Sequence, residues 1–108
     1  MQNDRQILEK MLQYAQKVAE YTKGMDYETF VENDMAVDAC VFNLSQLGET
    51  SNQISEEYEE GTPDIPWRQL YGLRNRIVHD YEGINLKLVW EIIQGDIPDL
   101  IEKITRLI

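Results

Sequence analysis

The sequence of 108 residues has one cysteine, one histidine and three prolines, and these shortages exclude several classes of protein. The single cysteine, Cys40, forms no intramolecular disulfide, so a disulfide-stabilised secreted domain is excluded and a reducing, cytoplasmic setting is expected. One cysteine and one histidine are also too few for a zinc finger. The uncharged apolar stretches fall far short of the ~20 residues needed to cross a bilayer, and the N-terminal residues lack the apolar core of a secretion signal. We therefore expect no contact with a membrane.

The sequence also lacks the short motifs of metal and nucleotide chemistry. It contains no glycine-rich phosphate loop, no His-Glu-x-x-His pair and no cysteine or histidine spacing typical of a metal site. Cys40 lies on a predicted apolar stripe, which argues against a Cys–His nucleophile. We therefore expect neither a metal ion nor a cofactor. The 43% of hydrophobic residues predict one folded domain that spans residues 1–108.

Charge is distributed unevenly along the chain. The net charge is −10, which argues against nonspecific coating of nucleic acid. Residues 1–66 hold 14 acidic and 4 basic residues, whereas residues 67–108 hold 6 of each. Within the second part, residues 67–79 form a basic segment with no acidic residue, which contains Arg68, Arg74, Arg76 and His79. Charge alone leaves two interpretations open, a solvated helix face or a site for an anionic ligand.

Apolar residues recur at intervals of three and four through most of the chain, which is typical of amphipathic helices. No repeat or strand-like alternation is present, so the sequence predicts an all-α protein, a compact up-and-down bundle of about five to six helices. Residues 56–63 are expected to form a surface connection. The predicted helices run from Asn3 to before Gly24, over Tyr27–Glu32, from about Asp34 to Tyr58, from Pro66 to near Asp80 or Tyr81, from Leu86 to about Gln94, and from Gly95 to the end.

Several residues are expected to fix the ends and contacts of these helices. Glycine inside the third helix is unfavourable, so a neighbouring backbone is expected to approach closely at Gly48. Gly83 is a candidate C-cap, and Pro98 is expected in the first turn of the last helix. The expected N-caps are Asn3, with Gln6 bonding back to it, Asp26 and Asn85.

The fourth predicted helix carries the one group of residues suited to chemistry. Arg74 and Tyr81 are seven residues apart, so they share a face if the helix extends that far, and Asn75 lies four residues before His79. A guanidinium, an amide, an imidazole and a phenol then meet at a helix C-terminus, where the helix dipole favours the imidazolium form. Arginine binds phosphate oxygens and stabilises negative charge in a transition state.

Simpler structural roles are available for the same residues. A lone histidine near a helix end is more often a capping or packing residue than a catalytic one. Arg74 is able to pair with an acidic residue, and Tyr81 is able to cover the end of a helix with its hydroxyl group in water. The residues alone do not decide between these roles and a catalytic site.

The segment RNRIVHDY matches the Arg-x-x-x-x-His-x-Tyr motif of HEPN-domain proteins, and the whole chain resembles the HepT-like toxins within that group. A bare Arg-x-x-x-x-His pattern arises often by chance, but an ordered set of matches over nearly the whole chain is specific. One departure is Thr50 after Glu49, where the family prefers alanine, and it bears on packing only. The matching positions are Phe30, residues 47–49, residues 65–67, residues 72–81, Val89, Trp90 and residues 96–100.

This resemblance implies a metal-independent endoribonuclease toxin of a toxin–antitoxin pair, with RNA as its substrate. The RNA 2′-hydroxyl group attacks the adjacent phosphate and leaves a 2′,3′-cyclic phosphate. By resemblance, Arg74 stabilises the phosphorane oxygens, His79 is the general acid or base, and Asn75 orients His79 or the phosphate. Arg68 and Arg76 are candidate RNA-binding residues. By resemblance, a partner minimal nucleotidyltransferase antitoxin adds AMP to Tyr81.

One histidine per chain does not easily supply both an acid and a base on opposite sides of a phosphate, so we expect a homodimer, as in the family, with a composite site. The small-residue face around Ala36, Ala39 and Gly48 and the helix that carries the motif are both candidate contacts. Two other functions stay open. The chain could be a noncatalytic helical subunit that docks a minimal nucleotidyltransferase and holds its substrate. It could also be a general helical interaction protein with an incidental motif.

Overall fold

The computed structural model describes residues 3–79 and 83–108, and almost all regular structure in these ranges is helical. The expected all-α bundle is confirmed, although its helices are shorter and more numerous than predicted. A π-helical segment, Ile92–Asp96, joins the last two helices, and two strands, β1 (Val78–His79) and β2 (Gly83–Ile84), form one antiparallel pair. The helices are α1 (Asp4–Tyr21), α2 (Tyr27–Glu32), α3 (Asp34–Ser51), α4 (Glu56–Gly61), α5 (Trp67–Tyr71), α6 (Leu73–Ile77), α7 (Leu86–Glu91) and α8 (Ile97–Leu107).

Helix α1 forms as the sequence predicts because both its cap and its apolar stripe are local features. The Asn3 side chain accepts a hydrogen bond from the backbone N–H of Gln6 at 2.9 Å, and the Gln6 side chain accepts one from the Asn3 N–H at 3.3 Å. The buried stripe packs against α3 and α8. Its members are Ile7, Leu8, Met11, Ala15 and Val18.

Helix α3 ends at Ser51, and its predicted continuation to Tyr58 is wrong. Two side chains at its C-terminus bind the same backbone carbonyl inside the helix. The Ser51 hydroxyl donates to the Gly48 carbonyl at 2.7 Å, and the Asn52 amide donates to it at 3.2 Å. Such local bonds from polar side chains compete with continued helix formation, and the chain leaves the helix at Asn52.

A further helix, α4, begins after Ser55, within residues 56–63 that were expected to form a surface connection. The Ser55 hydroxyl caps α4 by accepting from the Tyr58 N–H at 3.1 Å. The backbone N–H and the hydroxyl of Ser55 also donate to the Asp4 carboxylate at 3.0 and 2.7 Å. This link to the start of α1 fixes the change of direction, and it depends on a residue 51 positions away in the sequence.

Helices α5 and α6 stand where one continuous helix was predicted, and they meet at Gly72. The junction lies on Gly48 of α3, so the predicted close approach at that glycine is confirmed. A β-carbon at position 48 would lie 3.0 Å from the Leu70 carbonyl oxygen and 3.3 Å from the Leu73 Cβ. The two short helices are therefore positioned by contact of their backbone with α3.

Helix α6 ends at Ile77, so the predicted helix end near Asp80 or Tyr81 is wrong. Val78 is extended, with φ −115° and ψ 120°, and its register partner in β2 is Ile84. The Ile77 carbonyl accepts a hydrogen bond from the Asn85 N–H at 2.9 Å. Ile77 and Val78 are consecutive β-branched residues, which favour extended backbone. The chain therefore leaves the helix and pairs with β2. Gly83, expected as a helix C-cap, lies in β2 with φ +80°.

Helices α7 and α8 are continuous through the π-helical segment, whereas the sequence predicted separate helices that meet near Gly95. The predicted cap of α7 is confirmed, since the Asn85 side chain accepts from the Leu88 N–H at 3.1 Å. Pro98 occupies the first turn of α8, as expected. No helix of the described chain is long and apolar enough to cross a membrane.

Candidate functional site

Two of the candidate site residues, Arg74 and Asn75, project from the exposed side of α6. The residues that anchor this helix are Leu73 and Ile77, whose side chains are buried in the core. Arg74 and Asn75 follow Leu73 directly and are both exposed. A helix of five residues thus presents a guanidinium and an amide to solvent from a backbone that is held by its packing on α3.

Arg74 and Arg76 lie on different flanks of α6. Two residues correspond to about 200° of rotation around a helix, so side chains at these positions diverge. Arg76 is half-buried and lines a narrow, mainly apolar cleft beside the π-helical segment, where Ile92 and Asp96 also line it. Arg74 consequently lies on the flank that faces away from this cleft. The structure therefore places Arg74 and Arg76 on separate flanks of α6.

The backbone of His79 lies in β1, where His79 is the register partner of Gly83. The side chain of His79 is outside what the structure describes. The expectation that Asn75 and His79 are neighbours one helical turn apart is wrong, because α6 ends at Ile77. Extended residues advance about 3.3 Å each, against 1.5 Å in a helix, so residues 78 and 79 carry the backbone further from α6 than two more helical residues would.

Tyr81 lies outside the described residues. Arg74 and Tyr81 were expected to share a helical face only if one helix extended over both residues, and α6 ends at Ile77, so that condition is not met. The role of Tyr81 stays a prediction that depends on its position in the motif.

The arginines of the basic segment are not neutralised by acidic side chains among the described residues. Arg68 is exposed on α5, and neither Arg68 nor Arg74 nor Arg76 forms an ion pair with another described residue. The ion pairs among residues 3–79 and 83–108 are on α1 and α8, and they are Arg5–Glu9, Lys103–Asp99 and Arg106–Glu102. Unpaired guanidinium groups attract a polyanion and bind its phosphate oxygens in a bidentate manner.

Cys40 has the packing role that the sequence predicted for it. Its side chain is buried in the core of α3, and burial raises the pKa of the thiol to about 11. The thiol is therefore protonated at neutral pH and is not a nucleophile. Within the described residues, no three histidine, cysteine or acidic side chains are grouped so that they could hold a metal ion.

A polar contact that was not predicted from the sequence supports α5. The Tyr71 hydroxyl donates a hydrogen bond to the Glu59 carboxylate of α4 at 2.5 Å, and the Tyr71 ring stacks on Trp67 with centroids 6.3 Å apart. Burial, and then the bond to Glu59 and its charge, raise the pKa of Tyr71 above its usual range. The spacing of Trp67 and Tyr71, four residues apart, was the available sign of an aromatic pair on one face of a helix.

Known proteins resemble this chain over nearly its full length. The model of one protein family, described as "Ribonuclease HepT-like", matches residues 11–107. A Methanocaldococcus jannaschii protein named as a candidate RNase is 38% identical over 90 residues, which are 83% of each chain. A protein of Caldanaerobacter subterraneus subsp. tengcongensis, also named as a candidate RNase, is 31% identical over 108 residues, which are 100% of this chain and 96% of the relative.

A third relative, from Thermococcus cleftensis, is named as a candidate ribonuclease HepT. It is 28% identical over 100 residues, which are 93% of this chain and 91% of the relative. No solved structure matches the chain at a significant level.

Proposed function

Because the chain belongs to the HepT-like ribonuclease family, which confirms the expected class of endoribonuclease, we propose that it is the RNA-cleaving toxin of a cytoplasmic toxin–antitoxin pair. The observation that carries this proposal is the exposed pair Arg74 and Asn75 on α6, within a basic segment that contains no acidic residue. Two residues after this pair, at the end of α6, the chain enters the strand that bears the only histidine of the sequence.

The proposed reaction is an intramolecular transesterification of RNA that needs no metal ion. The O2′–P bond forms while the P–O5′ bond breaks, which leaves a 2′,3′-cyclic phosphate and a 5′-hydroxyl group. The proton of the 2′-hydroxyl passes to a general base, and a general acid supplies a proton to the departing 5′ oxygen. His79 takes these proton-transfer roles, since an imidazole both accepts and donates protons near neutral pH.

Arg74 is proposed to bind the scissile phosphate. Negative charge on its nonbridging oxygens increases as the phosphorane forms, and a guanidinium group held on a packed helix stabilises that charge without reorganising. Asn75 is proposed to orient the phosphate or the imidazole. Arg68, exposed on α5 in the same basic segment, is proposed to bind a neighbouring phosphate of the RNA.

The composite site is proposed to form in a homodimer. Acid and base act on opposite sides of the phosphorus in an in-line displacement, and each chain supplies one imidazole. A twofold axis near α6 would give one groove two copies of Arg74 and His79. Such a groove would concentrate positive charge on a protein whose net charge is −10 per chain.

Neutralisation is proposed to occur at Tyr81, to which a minimal nucleotidyltransferase antitoxin adds AMP. The added phosphate places negative charge within the motif, and the added nucleotide places bulk there. Both effects oppose the binding of RNA phosphate by Arg74.

The test is cleavage of RNA in EDTA by the unmodified protein and by Arg74→Ala and His79→Ala. Both substitutions should leave the helical circular dichroism intact and abolish cleavage, and the wild-type products should end in 2′,3′-cyclic phosphate. Arg5→Ala, at an exposed arginine of α1, is the matched control and should cleave normally. Sedimentation of each variant separates loss of chemistry from loss of a dimer. Unmodified protein that leaves RNA intact at tenfold excess would favour the noncatalytic docking subunit instead.

A further inference from the structure

Arg76 of α6 and Asp96 of the π-helical segment line the same narrow cleft. Among the described residues that line it, these two carry the only charges, and the charges are of opposite sign. Arg76 is half-buried there, whereas Asp96 is exposed. Apart from Gln69, the rest of this lining is apolar, with Leu73 and Leu100 among its members. The cleft therefore sets one cation and one anion between apolar walls.

Pro98 accounts for the π-helical segment that carries Asp96. Proline has no N–H to donate, and in an α-helix its ring meets the carbonyl group four residues earlier, which here belongs to Gln94. The Ile97 N–H instead bonds to the Ile92 carbonyl, five residues back, as in a π-helix. Single π-helical turns inside α-helices occur frequently at functional sites. The local sequence thus forms an unusual turn at the residue that faces α6 across the cleft.

The opposite wall of the cleft includes the helix that presents the candidate catalytic residues. Arg76 is the last residue but one of α6, and the backbone changes from helix to strand directly after Ile77. A bond to the Arg76 side chain therefore acts at the end of α6 from which the strand of His79 departs. Because Arg74 lies on the other flank of α6, such a bond holds the helix without touching a phosphate bound at Arg74.

We propose that Asp96 is a positioning residue for the ribonuclease site and acts through Arg76, by pairing with its guanidinium group across the cleft. No ion pair joins the two side chains among the described contacts. The guanidinium group is at the end of a long, flexible side chain, so the pair forms by rotation of that side chain. Exposed ion pairs contribute little, but apolar walls on both sides strengthen the attraction between opposite charges.

The pair ties the end of α6 to the π-helical segment and so fixes the start of the strand that bears His79. A displacement of about 1 Å at a reacting group costs up to about 100-fold in rate, so a small movement of this strand affects cleavage. Binding of RNA at Arg74 is not affected, because the pair lies on the other flank of α6. This inference deepens the proposed function and rests on it for its catalytic consequence.

The test is the kinetics of RNA cleavage by Asp96→Asn, a substitution that removes the charge and nearly keeps the shape. It should lower kcat about tenfold and leave KM within about twofold, since the interaction positions the reacting groups and does not bind RNA. Asp96→Glu keeps the charge and should recover most of the lost rate. Asp99→Asn is the matched control, because Asp99 is exposed on α8 and pairs with Lys103, and it should cleave normally.

A double-mutant cycle tests whether Asp96 acts through Arg76. Arg76→Gln should lower kcat as Asp96→Asn does, and the double variant should lose no more than the more damaged single variant. Effects of the two substitutions that multiply in the double variant overturn the pair. The proposal is also overturned by Asp96→Asn with the kcat of wild type, or by an equal loss in Asp99→Asn.

Urea unfolding of the same four proteins separates this inference from the proposed function. Asp96→Asn and Arg76→Gln should each lower the urea midpoint, and the double variant should fall by less than the sum of the two shifts. Non-additive shifts in a protein that leaves RNA intact support the pair and overturn the ribonuclease. Additive shifts, with cleavage that Arg74→Ala abolishes, support the ribonuclease and overturn the pair.

Discussion

Gly48 of α3 lies directly beneath the Leu70 carbonyl oxygen of α5, so close that a β-carbon at position 48 would stand 3.0 Å from that oxygen. The backbone of Arg74 is part of the same contact, since its nitrogen would be 3.9 Å from the added carbon. A side chain at position 48 therefore pushes on the short helix that presents the candidate catalytic residues.

Gly48→Ala should destabilise the protein by about 1–2 kcal/mol, because overpacking against backbone outweighs the ~1 kcal/mol that alanine gains in a helix. RNA cleavage should fall further than the loss of folded protein explains, since α6 moves. Urea unfolding and cleavage at a temperature where both proteins are folded measure the two effects. Gly95→Ala is the control, because nothing lies within 4 Å of a β-carbon there, and it should be neutral or stabilising. Equal stability of Gly48→Ala and wild type would contradict the close contact.

The elements that the sequence predicted well are those fixed by neighbouring residues. The capping box of Asn3 and Gln6 and the caps at Asp26 and Asn85 all form as expected, because each needs only a side chain and a backbone N–H three residues away. Amphipathic stripes are equally local, which is why the buried faces of α1 and α3 were predictable from spacing.

The helix ends were predicted poorly because distant contacts set them. Helix α3 ends shortly before Ser55, which donates hydrogen bonds to Asp4. The break between α5 and α6 at Gly72 lies next to the close backbone contact with Gly48 of α3. The candidate site shows the same contrast between features set by neighbouring residues and features set by distant contacts. Arg74 is predictably exposed because Leu73 and Ile77, one helical turn apart, form the buried side of α6. The strand that carries His79, in contrast, depends on pairing with residues 83–84. The consecutive β-branched residues at 77 and 78 were the available sign that the helix would end there.

A composite site predicts a nonlinear loss of activity in mixed dimers. If one cleavage event needs the His79 of both chains, activity follows the square of the wild-type fraction. An equal mixture of wild type and His79→Ala, after subunit exchange, should then keep about a quarter of the wild-type rate rather than about a half. A titration of the variant into wild type at constant total protein measures the curve. A straight line through the titration would show that each subunit works alone.

Different surroundings predict different roles for Arg68 and Arg76 of the basic segment. Arg68 is exposed on α5, so Arg68→Ala should weaken RNA binding several-fold and lower the slope of log K against log salt by about 0.7, as for loss of one phosphate contact to a single strand. Arg76 lines the cleft beside Asp96, so Arg76→Ala should leave that slope unchanged. Fluorescence anisotropy with labelled RNA across a salt series measures both variants. Arg106→Ala, in an ion pair on α8, is the control.

A mass measurement tests the proposed control at Tyr81. Coexpression with a minimal nucleotidyltransferase should add ~330 Da for each AMP to the intact chain, and the modified protein should no longer cleave RNA. Tyr81→Phe should keep its unmodified mass. Tyr71→Phe is the matched control, because the Tyr71 hydroxyl is engaged by Glu59, and this variant should still be modified. Addition of AMP to Tyr81→Phe would place the modification on another residue.

The hydrogen bond from Tyr71 to Glu59 predicts how stability changes in alkali. Burial, with the bond to Glu59 and its charge, raises the pKa of Tyr71 in the folded protein above the ordinary value of 10.0, so the unfolded chain loses this proton first. The contribution of Tyr71 to stability is therefore complete below pH ~10 and declines as the pH rises further. Tyr71→Phe should lower the free energy of unfolding by about 1–2 kcal/mol at pH 7, through the lost bond to a carboxylate. The difference between the two proteins should shrink above pH 10 in urea unfolding measured from pH 7 to 11, and a constant difference over that range would contradict the contact.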